Sequence, residues 1–257
     1  MRRKIVVLFF LLNVLCSAFS GDISSIELQE IGEKIFQNEC KGKSKFLTHW
    51  NEGESFGSFG IGHFIWYSDG KKEIYNEMFP KFLVFLKVNK EKLPDFLQPD
   101  KPCPWKTRDD FYKNYNSEKM GDLRKLLAST KSLQVKFMAD NLESSISKIK
   151  EAASPLKKQL VEKIMVFMLK TEAGLYPLID YLNFKGDGTK PSEQYKGQGW
   201  GLLQVLESMK DSNNDSDIVK DFARSARLVL KKRVENSPNK EQEQKWLPGW
   251  LKRIDTY

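Results

Sequence analysis

The sequence predicts an α+β fold, mainly α, in which a small β-hairpin lobe stands beside a larger helical lobe. Three observations carry this expectation. Apolar residues recur at helical spacing through most of the 257 residues. One short stretch, from Glu52 to Tyr67, instead sets aromatic residues and isoleucines among glycines, in the manner of a small antiparallel sheet. No repeat, low-complexity linker or second long apolar run interrupts the remainder.

The chain opens with Arg2, Arg3 and Lys4, followed by an almost wholly apolar run from Ile5 to Leu15 and by Ala18-Phe19-Ser20, whose small residues alternate as a signal peptidase requires. The run is too short to span a bilayer, which takes about 20 apolar residues. Residues 1–20 are therefore expected to be a cleaved export signal, placing the mature protein in a periplasm or outside the cell with no integral membrane segment. Leu15 before Cys16 is bulky where a lipoprotein signal carries a small residue, which argues against lipid attachment. Removing the first twenty residues, with three basic and no acidic side chains, leaves 237 residues and lowers the net charge from +8 to +5. These residues are expected to form one domain over 21–257, with a small lobe at about 40–70 and a helical lobe at about 72–257. A moderate positive excess suits an anionic polymer such as a cell wall, and equally suits ordinary solubility. Cys40 and Cys103 remain after the signal is lost, and an oxidising compartment makes them either a disulfide or a pair of buried thiols.

The first mature helix is announced by Ser24 with Glu27 as a capping box and Ile23 with Leu28 as a staple. Leu28, Ile31 and Ile35 mark its buried face, and Glu39 lies four residues further along that same face. A carboxyl group on the buried side of a helix end is in the setting where it can be held as a proton donor. Beyond the glycine-rich stretch, helices are predicted over 72–88 with an interruption near Pro80, and over 108–115, 119–128, 133–151 and 155–171. A proline-rich connection with Pro94, Pro99, Pro102 and Pro104 separates the first of these from the rest. Ser154 as cap and Pro155 at the first position would open the last. Ile164, Phe167 and Met168 make that helix hydrophobic nearly all round, as a central helix should be.

Two carboxyl groups across a cleft are what glycoside cleavage needs: one protonates the leaving oxygen, and the other steadies the cation-like sugar or activates water. Glu39 on its helix and Glu52 or Glu54 on the hairpin offer such a pair. In the second half, Gln198 and Trp200 sit among glycines in Tyr195-Lys196-Gly197-Gln198-Gly199-Trp200-Gly201, a mixture able to stack on a sugar and bond its hydroxyls, or to be a turn with local packing. Arg233, Asn236, Asn239, Trp246 and Trp250 have a similar character. His49 and His63 are the two histidines, and no cysteine or acid lies at ligand spacing beside them, so neither a metal nor another cofactor is expected.

Residues 31–67 resemble the phage-type lysozymes of the lysozyme-like superfamily. Those enzymes carry a helix ending in a catalytic Glu, then a small hairpin lobe with an Asp, five intervening residues, a Thr, and Gly-Ile-Gly-His. Here Glu39 is similar to the catalytic Glu, Glu52 takes the Asp position, five residues separate it from Ser58 at the Thr position, and Gly60-Ile61-Gly62-His63 matches the last motif. The interval between the two acids is longer than the family's, although a second carboxylate and a hydroxyl able to order a water both survive. The resemblance implies a lysozyme-like fold and a secreted, monomeric glycosidase cleaving peptidoglycan or a related glycan, with no nucleic-acid partner. Glu39 would be the general acid, Glu52 the charge stabiliser with Glu54 as its alternative, and Ser58 the holder of water. Gly60 and Gly62 would let the backbone approach substrate, and His63 would bond a neighbouring carboxylate. Gly201-Leu202-Leu203-Gln204 echoes a motif of lytic transglycosylases, one alternative. A wall-binding protein without turnover and a purely structural helical protein are the others.

Overall fold

The computed structural model describes residues 23–69, 75–171, 173–211 and 214–257. The expected export signal lies outside them. Within them the protein is mainly helical with a small antiparallel sheet, and no described helix is long and apolar enough to cross a membrane. The chain divides into two compact units, one up to Met138 and one from Ala139, at a boundary inside a long helix.

In the first unit, α1 (Ser25–Cys40) starts where the sequence marks it, with the Ser24 hydroxyl accepting the Glu27 N–H at 3.2 Å. It ends because Lys41 and Gly42 turn left-handed, at φ of 51° and 66°, and their N–H groups return to the Gln37 and Phe36 carbonyls. A sheet of three strands follows, in the order β1 (Thr48–His49), β2 (Phe56–Phe59) and β3 (Phe64–Tyr67), antiparallel throughout. The hairpin matches expectation, whereas β1 does not: two residues carry no alternation from which a strand could be read. Next come α2 (Phe79–Val88), α3 (Arg108–Lys113), α4 (Glu118–Ser129) and α5 (Lys131–Ala152). Pro80 does not interrupt a longer helix, as expected from sequence, but sits in the first turn of α2. Its missing N–H is one that no helical partner would have taken there. Residues 70–74, the early part of that expected helix, lie outside the described residues.

The sheet is not a lobe apart from the helices, because its two faces do different work. Side chains alternate along a strand, so Phe59, Phe64 and Trp66 point one way into an aromatic core. The Phe59 ring lies 4.9 Å from Phe79 of α2 and 6.2 Å from Phe111 of α3, centre to centre, and both are buried. Truncating such a ring typically costs about 3–5 kcal/mol. The sheet edges are covered as well. Arg108 and Tyr112 donate to the Trp50 carbonyl just beyond β1, and the Cys103 N–H donates to the Tyr67 carbonyl of β3.

The second unit continues with α6 (Lys158–Lys170), α7 (Leu175–Lys185), a two-stranded ribbon of β4 (Gln194–Tyr195) and β5 (Gln198–Gly199), α8 (Leu202–Ser208), α9 (Asp215–Asn236) and α10 (Lys240–Ile254). Pro155 does not open α6: residues 155–157 form a turn in which the Lys157 and Lys158 N–H groups both reach the Ser154 carbonyl. Nor is α6 apolar all round. It buries Val161, Ile164, Met165 and Met168 and leaves Phe167 half-buried, although it does touch α7, α8 and α9. A fully buried Asp180 on α7 meets both sides of the Arg253 guanidinium of α10, at 2.8 and 2.7 Å, and accepts the Tyr257 hydroxyl at 2.6 Å.

Cys40 and Cys103 are both buried and free, so the second of the two readings holds. Burial pushes each thiol up to about 12, with the Glu39 charge adding to the effect at Cys40. Both should therefore be silent to a thiol reagent near neutral pH in the folded protein and react on unfolding; mass spectrometry finding a Cys40–Cys103 crosslink in the purified, unreduced protein would refute this. In the second unit, Asp180→Ala removes the carboxylate from a buried ion pair and should lower the unfolding free energy by about 3–5 kcal/mol. Chemical denaturation showing a loss below about 1 kcal/mol would show that the pair does not hold α10.

Candidate active site

The face of the sheet turned away from the aromatic core carries Phe56, Ser58 and Ile65, and these form one wall of an open cleft of about 410 Å³. Asn51, Gly53, Glu54 and Ser55 line it from the turn before β2, His63 from the hairpin loop, and Tyr75 from the segment before α2. The volume falls within the range of small-ligand sites.

The turn from Asn51 to Glu54 decides which hairpin carboxylate reaches the cleft. Gly53 takes φ of 80° and the Glu54 N–H returns to the Asn51 carbonyl at 3.4 Å. Glu52 is left at the outer corner, exposed and outside the cleft lining. Glu54 comes back under the corner, fixed by its own carbonyl accepting the Trp50 indole N–H at 2.9 Å. Its Oε2 atom is buried and has no hydrogen-bond partner. The position taken from sequence as the alternative is thus the one on the cleft, two residues from the first choice.

Glu39 stands in the last turn of α1, four residues after fully buried Ile35, and its side chain is only 14% exposed. It thus lies along the buried face of the helix, partly covered rather than enclosed. Its Oε2 lies 3.7 Å from Nε2 of His63, an ion-pair contact when the imidazole is protonated and longer than a hydrogen bond. The carboxylate nearest His63 is thus that of Glu39 on the helix. His49 makes a separate contact, its Nε2 lying 2.8 Å from Asn51 Oδ1.

The aim of His63 depends on a strained loop. His63 has φ of 48°, a region that non-glycine residues seldom adopt. It is held there by its N–H bonding the Gly60 carbonyl at 3.2 Å, while the Gly60 N–H bonds Leu47 at 2.8 Å. The decisive contact comes from α5: the fully buried Gln134 accepts the Ile61 N–H at 2.8 Å and donates to the Leu127 carbonyl at 2.7 Å. Gly60 and Gly62 are buried, and their role differs from that expected. A Cβ on Gly60 would collide with the Gln134 amide and one on Gly62 with the Phe64 ring, so both glycines admit protein rather than substrate.

Gln198 and Trp200 lie in the second unit and are occupied by their own neighbours. Trp200 is 8% exposed, with the Tyr195 ring at 4.4 Å and the Arg233 guanidinium at 4.2 Å from its ring centre. Arg233 is itself held by buried Glu243, and Gln198 accepts the Asn236 amide at 3.4 Å. Gln204 folds back to the Gly201 N–H and donates to the Gly188 carbonyl, which explains Gly201-Leu202-Leu203-Gln204 as a helix start. Local packing, the alternative held open for this segment, accounts for each of these contacts.

Sequence reasoning missed Gln134 and Tyr75. One polar residue at an apolar position of α5 was the only signal of the former.

Replacing Gln134 by Leu keeps the volume but leaves the Ile61 N–H without its acceptor and the Leu127 carbonyl without the amide it receives. At about 1–3 kcal/mol for each buried unpaired group, the variant should lose at least about 2 kcal/mol in urea unfolding and exchange the Ile61 amide faster. Unchanged exchange at Ile61 would show that the turn stands without this residue. The chain matches no protein-family model, no curated protein and no solved structure.

Proposed function

We propose that this protein is an exported glycoside hydrolase that cleaves peptidoglycan, with Glu39 as the general acid and Glu54 as the second carboxylate. The observation that carries this reading is an acid on the cleft wall, Glu54, with a second acid, Glu39, standing outside the lining but against His63, which lines the cleft. Glu39 is mostly buried at a helix end beside His63, and Glu54 presents a buried, unpaired oxygen from the hairpin side. Glycosidic cleavage divides its work between such groups, one supplying a proton and the other remaining charged. Ser58, 8% exposed on the cleft wall, supplies a hydroxyl to orient water. The positive excess of the mature chain suits an anionic wall polymer.

The roles follow from these positions. Glu39 gives its proton to the glycosidic oxygen as the bond breaks, and Glu54 stabilises the positive charge that develops on the sugar. A water ordered by Ser58 then attacks the cationic carbon and yields its proton to the Glu39 carboxylate, which restores the acid, and Glu52 at the outer corner takes no part in the chemistry.

Glu39→Gln keeps the size of the side chain but cannot supply the proton, so clearing of peptidoglycan suspensions should fall at least about 100-fold. Glu54→Gln should cost more than Glu52→Gln, which should stay within a few-fold of the unaltered protein. Clearing that survives Glu39→Gln would sink the mechanism. Protein that sediments with wall material and never clears it would be a wall binder instead.

A further inference from the structure

We infer that the exposed side of α10 around Trp246 is a second glycan-binding site, which stacks a pyranose ring of an acidic wall polymer on the indole and meets the polymer's carboxylates with Lys245 and Lys252. The class of ligand rests on the glycosidase reading, whereas the residues follow from their surroundings within the second unit.

Trp246 leaves 47% of its surface to water, and its ring rests against that of Trp250, one turn on, at 6.2 Å with the planes at 42°. Trp250 is held in turn. The Lys185 ammonium lies 3.5 Å from its ring centre, the Arg233 guanidinium 5.0 Å, and the Phe184 ring meets it at 6.5 Å. Arg233 is itself fixed by buried Glu243. Trp246 is therefore the outer member of an anchored row of rings, and a ring resting on a fixed partner loses little freedom on binding. Its open face is apolar with a polar N–H at the edge, the combination that suits the face of a sugar. Three residues further along, Gly249 is exposed inside the helix, and a Cβ built there would meet no atom within 4 Å. Packing thus does not call for glycine at this place, in contrast to Gly60 and Gly62, and glycine weakens a helix interior. The gap lets a sugar stacked on Trp246 come down to the helix backbone. Lys245 and Lys252 stand exposed four residues before Gly249 and three after it, hence on the same side of α10. Glu241, four residues before Lys245, is the acid on that side, so the two lysines leave it a positive excess. A carboxylate-bearing glycan complements this pattern. A lipid surface fits it less well, because Gln242, Lys245, Gly249 and Lys252 flank Trp246 where an interfacial helix would carry apolar side chains.

The test uses the full mature chain in the Glu39→Gln background, so that the wall is not consumed, sedimented with purified peptidoglycan sacculi over a range of concentrations. Trp246→Ala should weaken binding about tenfold, while Trp246→Tyr stays within about threefold. Gly249→Leu fills the gap with a better helix former, so it should weaken binding several-fold without lowering the melting temperature, a combination that unfolding cannot produce. Replacing Lys245 and Lys252 together by Gln should weaken binding at low salt and flatten its dependence on salt. Near-UV circular dichroism checks that the variants fold. Binding unchanged in Trp246→Ala, binding unchanged in Gly249→Leu, or protein that sediments with anionic phospholipid vesicles and not with sacculi would each overturn the proposal. The proposed function fails separately: sacculus binding with this pattern in a protein that never clears peptidoglycan leaves the site standing without the hydrolase. Clearing by a protein whose Trp246→Ala variant binds as before removes the site alone.

Discussion

One buried amide holds the first unit's functional geometry together. Gln134 has no exposure to water, so each of its polar atoms must be satisfied by protein. Its oxygen takes the Ile61 N–H and its nitrogen the Leu127 carbonyl, which ties the hairpin loop to the end of α4 and the start of α5. That tie explains why Gly60 has no side chain and why His63 tolerates a left-handed backbone. The His63 so placed lies 3.7 Å from Glu39, which the last turn of α1 positions.

The same economy is visible in the sheet. Strand alternation sends Phe59, Phe64 and Trp66 into the core and leaves Phe56, Ser58 and Ile65 to the cleft, so a four-residue strand both anchors the unit and builds one wall of the site. A one-residue slip of register would exchange the two sets and destroy both at once. The aromatic ring contacts on the core side make such a slip costly, and the cleft inherits that rigidity.

Several parts were legible in the sequence because a local rule governed them. Ser24 as a cap, Ile31 and Ile35 as a buried stripe, Glu39 on the same stripe and the hairpin around Gly60 all follow from spacing over a few residues. The parts that were not legible depend on contacts far apart in sequence. Gln134 is separated from Ile61 by 73 positions, and nothing beside it announces the bond. Glu54 displaced Glu52 because of one turn whose geometry depends on Gly53. Trp200 among its glycines fits a sugar platform or local packing equally by sequence, and the contacts that decide for packing come from Tyr195 and from Arg233 on a helix that begins after residue 200. Pro80 and Pro155 were read correctly as helix punctuation and placed wrongly, since a proline fits both the first turn of a helix and the turn before it.

Four buried side-chain atoms among the described residues have no hydrogen-bond partner, and they do not all carry the same meaning. The orphan Nη2 of Arg124 belongs to a guanidinium 3.9 Å from the Tyr115 ring centre, whose π face supplies attraction of another kind. Glu193 has Lys190 at 3.6 Å, and burial raises its carboxyl toward the neutral form. Ser225 loses only a neutral hydroxyl inside a helix. Glu54 alone of the four lines the cleft. A buried acceptor that no donor meets is costly to the protein by itself.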